Sequence, residues 1–71
     1  MDVPRAKHNI IIAQQQAGIS QGKHEHYKRT GEDYTAQMYW VRWQALRTYI
    51  QHLKDEIKKH ERKAFKRANN Q

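Results

Sequence analysis

Positive charge is concentrated near the C-terminal end of the chain. Ten consecutive residues contain one acid, Glu61, and six bases: Lys58, Lys59, Arg62, Lys63, Lys66 and Arg67. On a helix, like charges four residues apart repel each other by about 0.2–0.5 kcal/mol per pair. Phosphate groups relieve this repulsion, and the counterions they release add affinity that falls with salt. The cluster predicts sequence-independent nucleic-acid binding; the alternative is a solvated segment that serves only solubility.

Aromatic and aliphatic side chains fill the stretch before the basic cluster. Tryptophan, tyrosine and arginine dominate protein interfaces because they bury much area with few lost rotamers. Arg47 follows Trp43 by four residues, a spacing that predicts a cation–π contact. The stretch predicts a partner-binding surface made of Trp40, Trp43, Arg47, Ile50, Leu53 and Ile57. The alternative is a broad core, which Met38, Val41 and Ala45 would widen.

Two groups of histidines have spacings that could present metal ligands. His52, Glu56 and His60 recur every four residues and lie on one helix face, and His24 and His26 form a second pair. Neither group supplies the four ligands of a closed structural zinc site. The sequence therefore predicts no metal site and no cofactor.

Nucleophilic catalysis has few candidate groups in this chain. Ser20 is the only serine, cysteine is absent, and the three glycines are isolated, so no phosphate-binding loop is present. We expect a protein that is not an enzyme.

The first helix is predicted to span residues 3–17. Apolar residues recur there every three or four positions, as on one face of an amphipathic helix: Val3, Ala6, Ile10, Ala13 and Ala17. Asp2 suits the N-cap, Pro4 is tolerated in the first turn, and Gly18 is expected to end the helix with a positive φ. Residues 18–30 are predicted to form a loop.

The second helix is predicted to span residues 31–67, followed by a frayed tail at 68–71. Thr30 and Asp33 resemble a capping box at its start. Its apolar seam alternates spacings of three and four: Ala36, Tyr39, Trp43, Leu46, Ile50, Leu53, Ile57, His60 and Ala64. At 1.5 Å per residue it extends about 55 Å, against about 22 Å for the first helix. The far half of the seam should therefore need a protein partner or a second copy of the chain.

Residues Ala17–Gln21, which read Ala-Gly-Ile-Ser-Gln, resemble the turn of helix-turn-helix DNA-binding proteins. The resemblance covers about 20 residues and implies that Gln21, Lys23, His24 and Lys28 face a DNA groove. Departures from the motif occur where it expects small or aliphatic residues, at Gln14, His24 and Tyr27.

Composition limits the chain to one small domain. It has 71 residues with a net charge of +7, and only 11 of them are Leu, Ile, Val or Phe, so its core is thin. No stretch has the roughly 20 apolar residues of a membrane span. We expect no membrane association and a cytoplasmic location. The fold class predicted is all-α, with the two helices forming a helical hairpin or a coiled-coil-like assembly.

These patterns favour a small basic accessory protein that binds nucleic acid, or a nucleic-acid-processing complex, through its second helix. Small, basic, cysteine-free helical chains also resemble accessory proteins of phages and mobile elements, which act stoichiometrically on host machinery. That resemblance implies an alternative role in the host cytoplasm, as an inhibitor or adaptor that docks its Trp, Ile and Leu face on an enzyme.

Overall fold

The chain folds as two antiparallel helices. The computed structural model describes residues 2–69, and the side chains of residues 2–65. Helix α1 spans Val3–Arg29 and helix α2 spans Asp33–Asn69. Together they form a rod of 61 × 15 × 14 Å. The predicted all-α hairpin is confirmed, whereas the prediction of a short first helix is wrong.

The start of α1 is capped as its sequence predicts. The Asp2 carboxylate accepts a hydrogen bond from the Arg5 N–H at 3.1 Å, and Pro4 lies in the first turn. The acceptor satisfies one of the N–H groups that a helix start leaves without a partner. The predicted N-cap is therefore confirmed.

Helix α1 continues through the segment that was predicted to be a loop. Residues 18–29 are helical, so Gly18 does not end the helix, and the residues that resemble a helix-turn-helix turn form no turn. The buried face of α1 continues at Ser20, which is only 3% exposed, and at half-buried His24 and Tyr27. Because these residues pack on α2, tertiary contacts outweigh the cost of about 1 kcal/mol that each interior glycine adds.

The turn between the helices is a Schellman motif. The Glu32 N–H donates to the Tyr27 carbonyl at 2.9 Å, and the Gly31 N–H donates to the Lys28 carbonyl at 3.3 Å. Gly31 has a φ of +82°, the left-handed conformation that this motif requires. Thr30 is the C-cap of α1, and its hydroxyl donates to the Tyr27 carbonyl, so its predicted role in a capping box for α2 is wrong.

Alanine substitutions at two glycines should have opposite effects on stability. Gly18→Ala should raise the free energy of unfolding by about 0.5–1 kcal/mol, because Gly18 lies inside a helix with open space around its Cα. Gly31→Ala should lower it by about 1–2 kcal/mol, because alanine is strained at positive φ. Urea unfolding followed by circular dichroism measures both. If the Gly18→Ala variant were instead less stable than the parent chain, the result would support the original prediction that the first helix ends at residue 18.

The core is a narrow seam between the two helices. Ala6, Ile10 and Ile57 form its buried cluster, and half-buried Val3, Ile50 and Leu53 pack around it. Because α1 is 27 residues long, it reaches the far part of α2 and covers Leu53 and Ile57. The expectation that these two residues lack cover is therefore wrong. Farther along the predicted seam, His60 and Ala64 are exposed.

Polar and aromatic contacts join the helices near the turn. The His24 Nδ1 lies 2.9 Å from the Ala36 carbonyl oxygen, and because a carbonyl only accepts, Nδ1 is the donor. The rings of Tyr27 and Tyr39 stack with centroids 5.6 Å apart, and the Lys23 ammonium lies 5.3 Å from the centroid of the Tyr39 ring. These contacts hold residues 23–29 of α1 in register with α2.

Candidate nucleic-acid interface

The hairpin gathers cationic side chains from both helices at one end of the rod. Four of the predicted nucleic-acid-binding residues are exposed on α2: Lys58, Lys59, Arg62 and Lys63. The antiparallel arrangement adds Arg5 and Lys7 of α1, since Lys7 contacts Glu61 across the two helices at 3.4 Å. We call these six side chains the basic end. The side chains of Lys66 and Arg67, which complete the predicted site, lie outside the described residues.

The three acids of α2 near the basic end each have a polar partner. Glu61 pairs with Lys7, Glu56 lies 3.6 Å from the Lys59 ammonium, and Asp55 accepts a hydrogen bond from the Gln51 amide at 3.0 Å. Both ion pairs are solvent-exposed, and such pairs contribute only about 0–1 kcal/mol. They are therefore weak enough for a stronger anion to replace.

Three of the four α2 side chains in the basic end have no acidic partner among the described residues. These are Lys58, Arg62 and Lys63, none of which has a carboxylate oxygen within 4.0 Å. Lys58, Lys59 and Arg62 also line a shallow depression of about 240 Å³, with Asp55 on its wall. The basic end thus offers exposed donors around a concave surface, an arrangement suited to phosphate oxygens.

Charge is distributed unevenly along the rod. Residues 23–33, around the turn, contain three basic and three acidic side chains, whereas residues 54–67 contain seven basic and three acidic ones. One end of the molecule is therefore neutral and the other strongly cationic. A negatively charged ligand would be attracted to the cationic end, because the positive potential of the protein is concentrated there.

The predicted partner-binding residues are divided between surface and core. The predicted cation–π contact is present, with the Arg47 guanidinium carbon 5.4 Å from the centroid of the Trp43 ring. Trp40 is 39% exposed, Trp43, Ile50 and Leu53 are half-buried, and Ile57 is only 7% exposed. In the hairpin, Trp40 and Arg47 are the two members of this set that a partner reaches freely.

A different apolar surface lies on the side of α2 that α1 leaves uncovered. Its residues recur every three or four positions and are exposed: Tyr34, Met38, Val41, Ala45 and Tyr49. We call this set the outer stripe. The alternative sequence interpretation, a broad core, placed Met38 and Val41 on the apolar face that widens it, but they are 58% and 53% exposed. Their spacing of three and four residues indicates a second apolar helix face, but the longer apolar seam from Ala36 to Ala64 dominates the sequence pattern.

The histidines are dispersed rather than clustered. His24 takes part in packing between the helices, and the His26 ring contacts Tyr27 edge-on with centroids 5.2 Å apart. Among the residues that the structure describes, no three His, Asp or Glu side chains lie close enough to hold a metal ion. Likewise, neither helix over its described residues is long and apolar enough to cross a membrane.

Comparisons with known proteins give no relatives for this hairpin. No family model, curated protein or solved structure matches the chain.

Proposed function

We propose that this chain is a small non-enzymatic protein that binds nucleic acid through its basic end, by contacts with phosphates rather than bases. The observation that carries the proposal is the set of three exposed cations, Lys58, Arg62 and Lys63, that have no acidic partner among the described residues and lie at one end of a rod whose other end is neutral. Arg5 of the first helix adds a fourth exposed cation to that end.

Phosphate contacts suit both the charge and the shape of this end. Lys58 and Arg62 lie four residues apart and repel each other until an anion lies between them. The guanidinium of Arg62 can bind two phosphate oxygens at once, whereas Lys58 and Lys63 act as point charges. Such contacts fix position on nucleic acid without reading its sequence.

The dimensions of the rod also favour contacts with the backbone. The two-helix part measures 15 × 14 Å in cross-section, whereas the major groove of B-DNA is about 12 Å wide and admits a single helix. Where the helices run side by side, the hairpin is too thick to enter the groove. We therefore expect it to lie across phosphates and to bind different sequences with similar affinity.

Fluorescence anisotropy at several salt concentrations tests this proposal. With about four phosphate contacts, the slope of log affinity against log salt should be near −3.6, so affinity should fall about 150-fold between 50 and 200 mM salt. Scrambled duplexes of equal length should bind alike. Absence of binding to duplex DNA, single-stranded DNA and RNA at about 50 mM salt would reject the proposal.

The alternative function is that of an adaptor or inhibitor that docks on a protein through the Trp40 to Ile57 surface. Its support is weaker in the folded hairpin, because Ile57 is buried in the core and Ile50 and Leu53 are partly buried against it. A pull-down from nuclease-treated lysate separates the two readings. A partner that is retained favours the adaptor, and a partner lost with the nucleic acid favours phosphate binding.

A further inference from the structure

The outer stripe is an apolar helix face that α1 does not cover. Tyr34, Met38 and Val41 are 80%, 58% and 53% exposed, and Ala45 and Tyr49 continue the same face toward the middle of α2. Spacings of three and four residues keep all five on one side of the helix. Tyr34, Met38, Val41 and Ala45 also line a shallow depression of about 430 Å³, which could receive a side chain from a partner.

The core of the single hairpin gives a reason for this face to be covered. Its buried apolar residues are four alanines and two isoleucines, and none of the described side chains is less than 2% exposed. A single core in a chain of this size rarely supplies more than about 3–5 kcal/mol, and oligomerisation is one of the usual additions. Covering the outer stripe would extend the apolar contact area with residues that already have helical spacing.

We propose that the outer stripe packs on the same stripe of a second copy, in antiparallel orientation. The spacing is almost symmetric about a point between Val41 and Arg42. When two copies are related by a two-fold axis at that point, Tyr34 faces Tyr49 of the second copy and Met38 faces its Ala45. A two-fold interface requires such self-complementarity, because the same patch lies on both sides.

The distribution of charge favours this orientation over a parallel one. The stripe lies toward the weakly charged end of the rod, since residues 23–50 contain five basic and three acidic side chains, a net charge of +2. Antiparallel pairing therefore brings the weakly charged halves together and directs the two basic ends outward. At 1.5 Å per residue, the centres of the two clusters at residues 58–63 are roughly 57 Å apart. That separation is several Debye lengths at physiological salt, so their repulsion is screened, whereas a parallel pair would place them side by side.

The size of the contact predicts a weak dimer. In this arrangement, α2 of one copy lies against α2 of the second copy over residues 33–50, a length of about 27 Å. An interface of this length falls at the lower end of specific interfaces, below about 800 Å² per partner. We therefore expect dissociation constants on the order of micromolar, and a molecule that is a dimer at tens of micromolar protein.

Light scattering across a concentration series tests the association itself. The protein should be measured after nuclease treatment and at about 500 mM salt, where phosphate-mediated association is suppressed. The mass should approach twice the 8.6 kDa of one chain at the highest concentrations. A mass of one chain up to several hundred micromolar would overturn the proposal. Because nucleic acid is absent, this result is independent of the proposed function.

A matched pair of lysine variants tests the position of the interface. Val41→Lys should raise the dissociation constant at least about 100-fold, because the symmetric interface contains each substitution twice and the proposed register places residue 41 opposite Arg42 of the second copy. Ile11→Lys is the control, since Ile11 is 54% exposed on α1 and Val41 is 53% exposed on α2. Circular dichroism should show both variants to be helical. Equal loss of the dimer in both variants, or in neither, would contradict the assignment to the outer stripe.

Disulfide cross-linking tests the orientation and does not require a variant that breaks the dimer. The chain has no cysteine, so Met38→Cys and Ala45→Cys each introduce a single thiol. A mixture of the two variants should form a disulfide-linked heterodimer, whereas each variant alone should not. In the antiparallel register, identical positions are offset by about 10 Å along the axis, beyond the Cα–Cα limit of about 6.8 Å for a disulfide. Efficient cross-linking of either variant with itself would indicate a parallel pair and overturn the proposal.

Discussion

Replacing Arg62 and Lys63 together by glutamine is expected to weaken nucleic-acid binding about 10- to 100-fold near 100 mM salt. Both side chains are exposed and have no acidic partner among the described residues, so their loss removes phosphate contacts without removing packing. The salt slope should become shallower by about 1.8, because each lost contact releases about 0.9 fewer counterions. Fluorescence anisotropy with one duplex at four salt concentrations measures both quantities.

The adjacent pair Lys28 and Arg29 provides a matched control. It also consists of one lysine and one arginine, both exposed on a helix, but it lies at the neutral end of the rod. Replacing this pair by glutamine lowers the net charge by the same amount, and the affinity should change by less than about threefold. Equal losses from the two pairs would show that net charge alone drives binding, and the basic end would then have no special role.

Replacing Ile57 by aspartate is expected to unfold the hairpin. Ile57 is 7% exposed and packs between Ala6 and Ile10, so the substitution removes core contacts and buries a carboxylate without a partner. Lost core packing alone costs about 2–5 kcal/mol, and the desolvated charge adds to it. The total is comparable to the whole stability of a domain this small. Circular dichroism at 25 °C should show most of the helical signal lost.

Phe65→Asp is the control for that prediction, because it introduces the same charge into α2 at a side chain that is 67% exposed. Its free energy of unfolding should stay within about 0.5 kcal/mol of the parent chain, as is usual for surface substitutions. The comparison also separates two roles for Ile57. A folded Ile57→Asp variant that has lost a protein partner would support the docking surface and contradict the core position.

The start of the first helix and the apolar seam of the second could be predicted from local patterns. Asp2 and Pro4 act within the first helical turn, and the spacing from Ala36 to Ile57 is a property of one continuous helix. The Arg47 contact with Trp43 also joins residues four apart. Features of this kind depend on neighbours in sequence, and the rules for them require no knowledge of the second helix.

The end of α1 could not be predicted from the same rules. Gly18 and Gly22 favour the end of a helix by their local propensity. Ser20, His24 and Tyr27 carry polar atoms, so their positions are not recognised as part of an apolar helix face. Their positions nevertheless continue the alternation of three and four residues that begins at Val3. Only the packing of these side chains against α2 decides in favour of the helix, because contacts between distant residues compensate for poor local propensity.

Composition and spacing were enough to establish what the candidate site contains: the net charge of +7, the six bases from Lys58 to Arg67, and two helical segments with apolar seams. Which of these groups meet depends on the packing of the two helices. It brings Arg5 and Lys7 beside the cationic part of α2, buries Ile57, and leaves Met38 and Val41 exposed. The reason is the register of the hairpin, since the length of α1 sets how far the two helices cover each other.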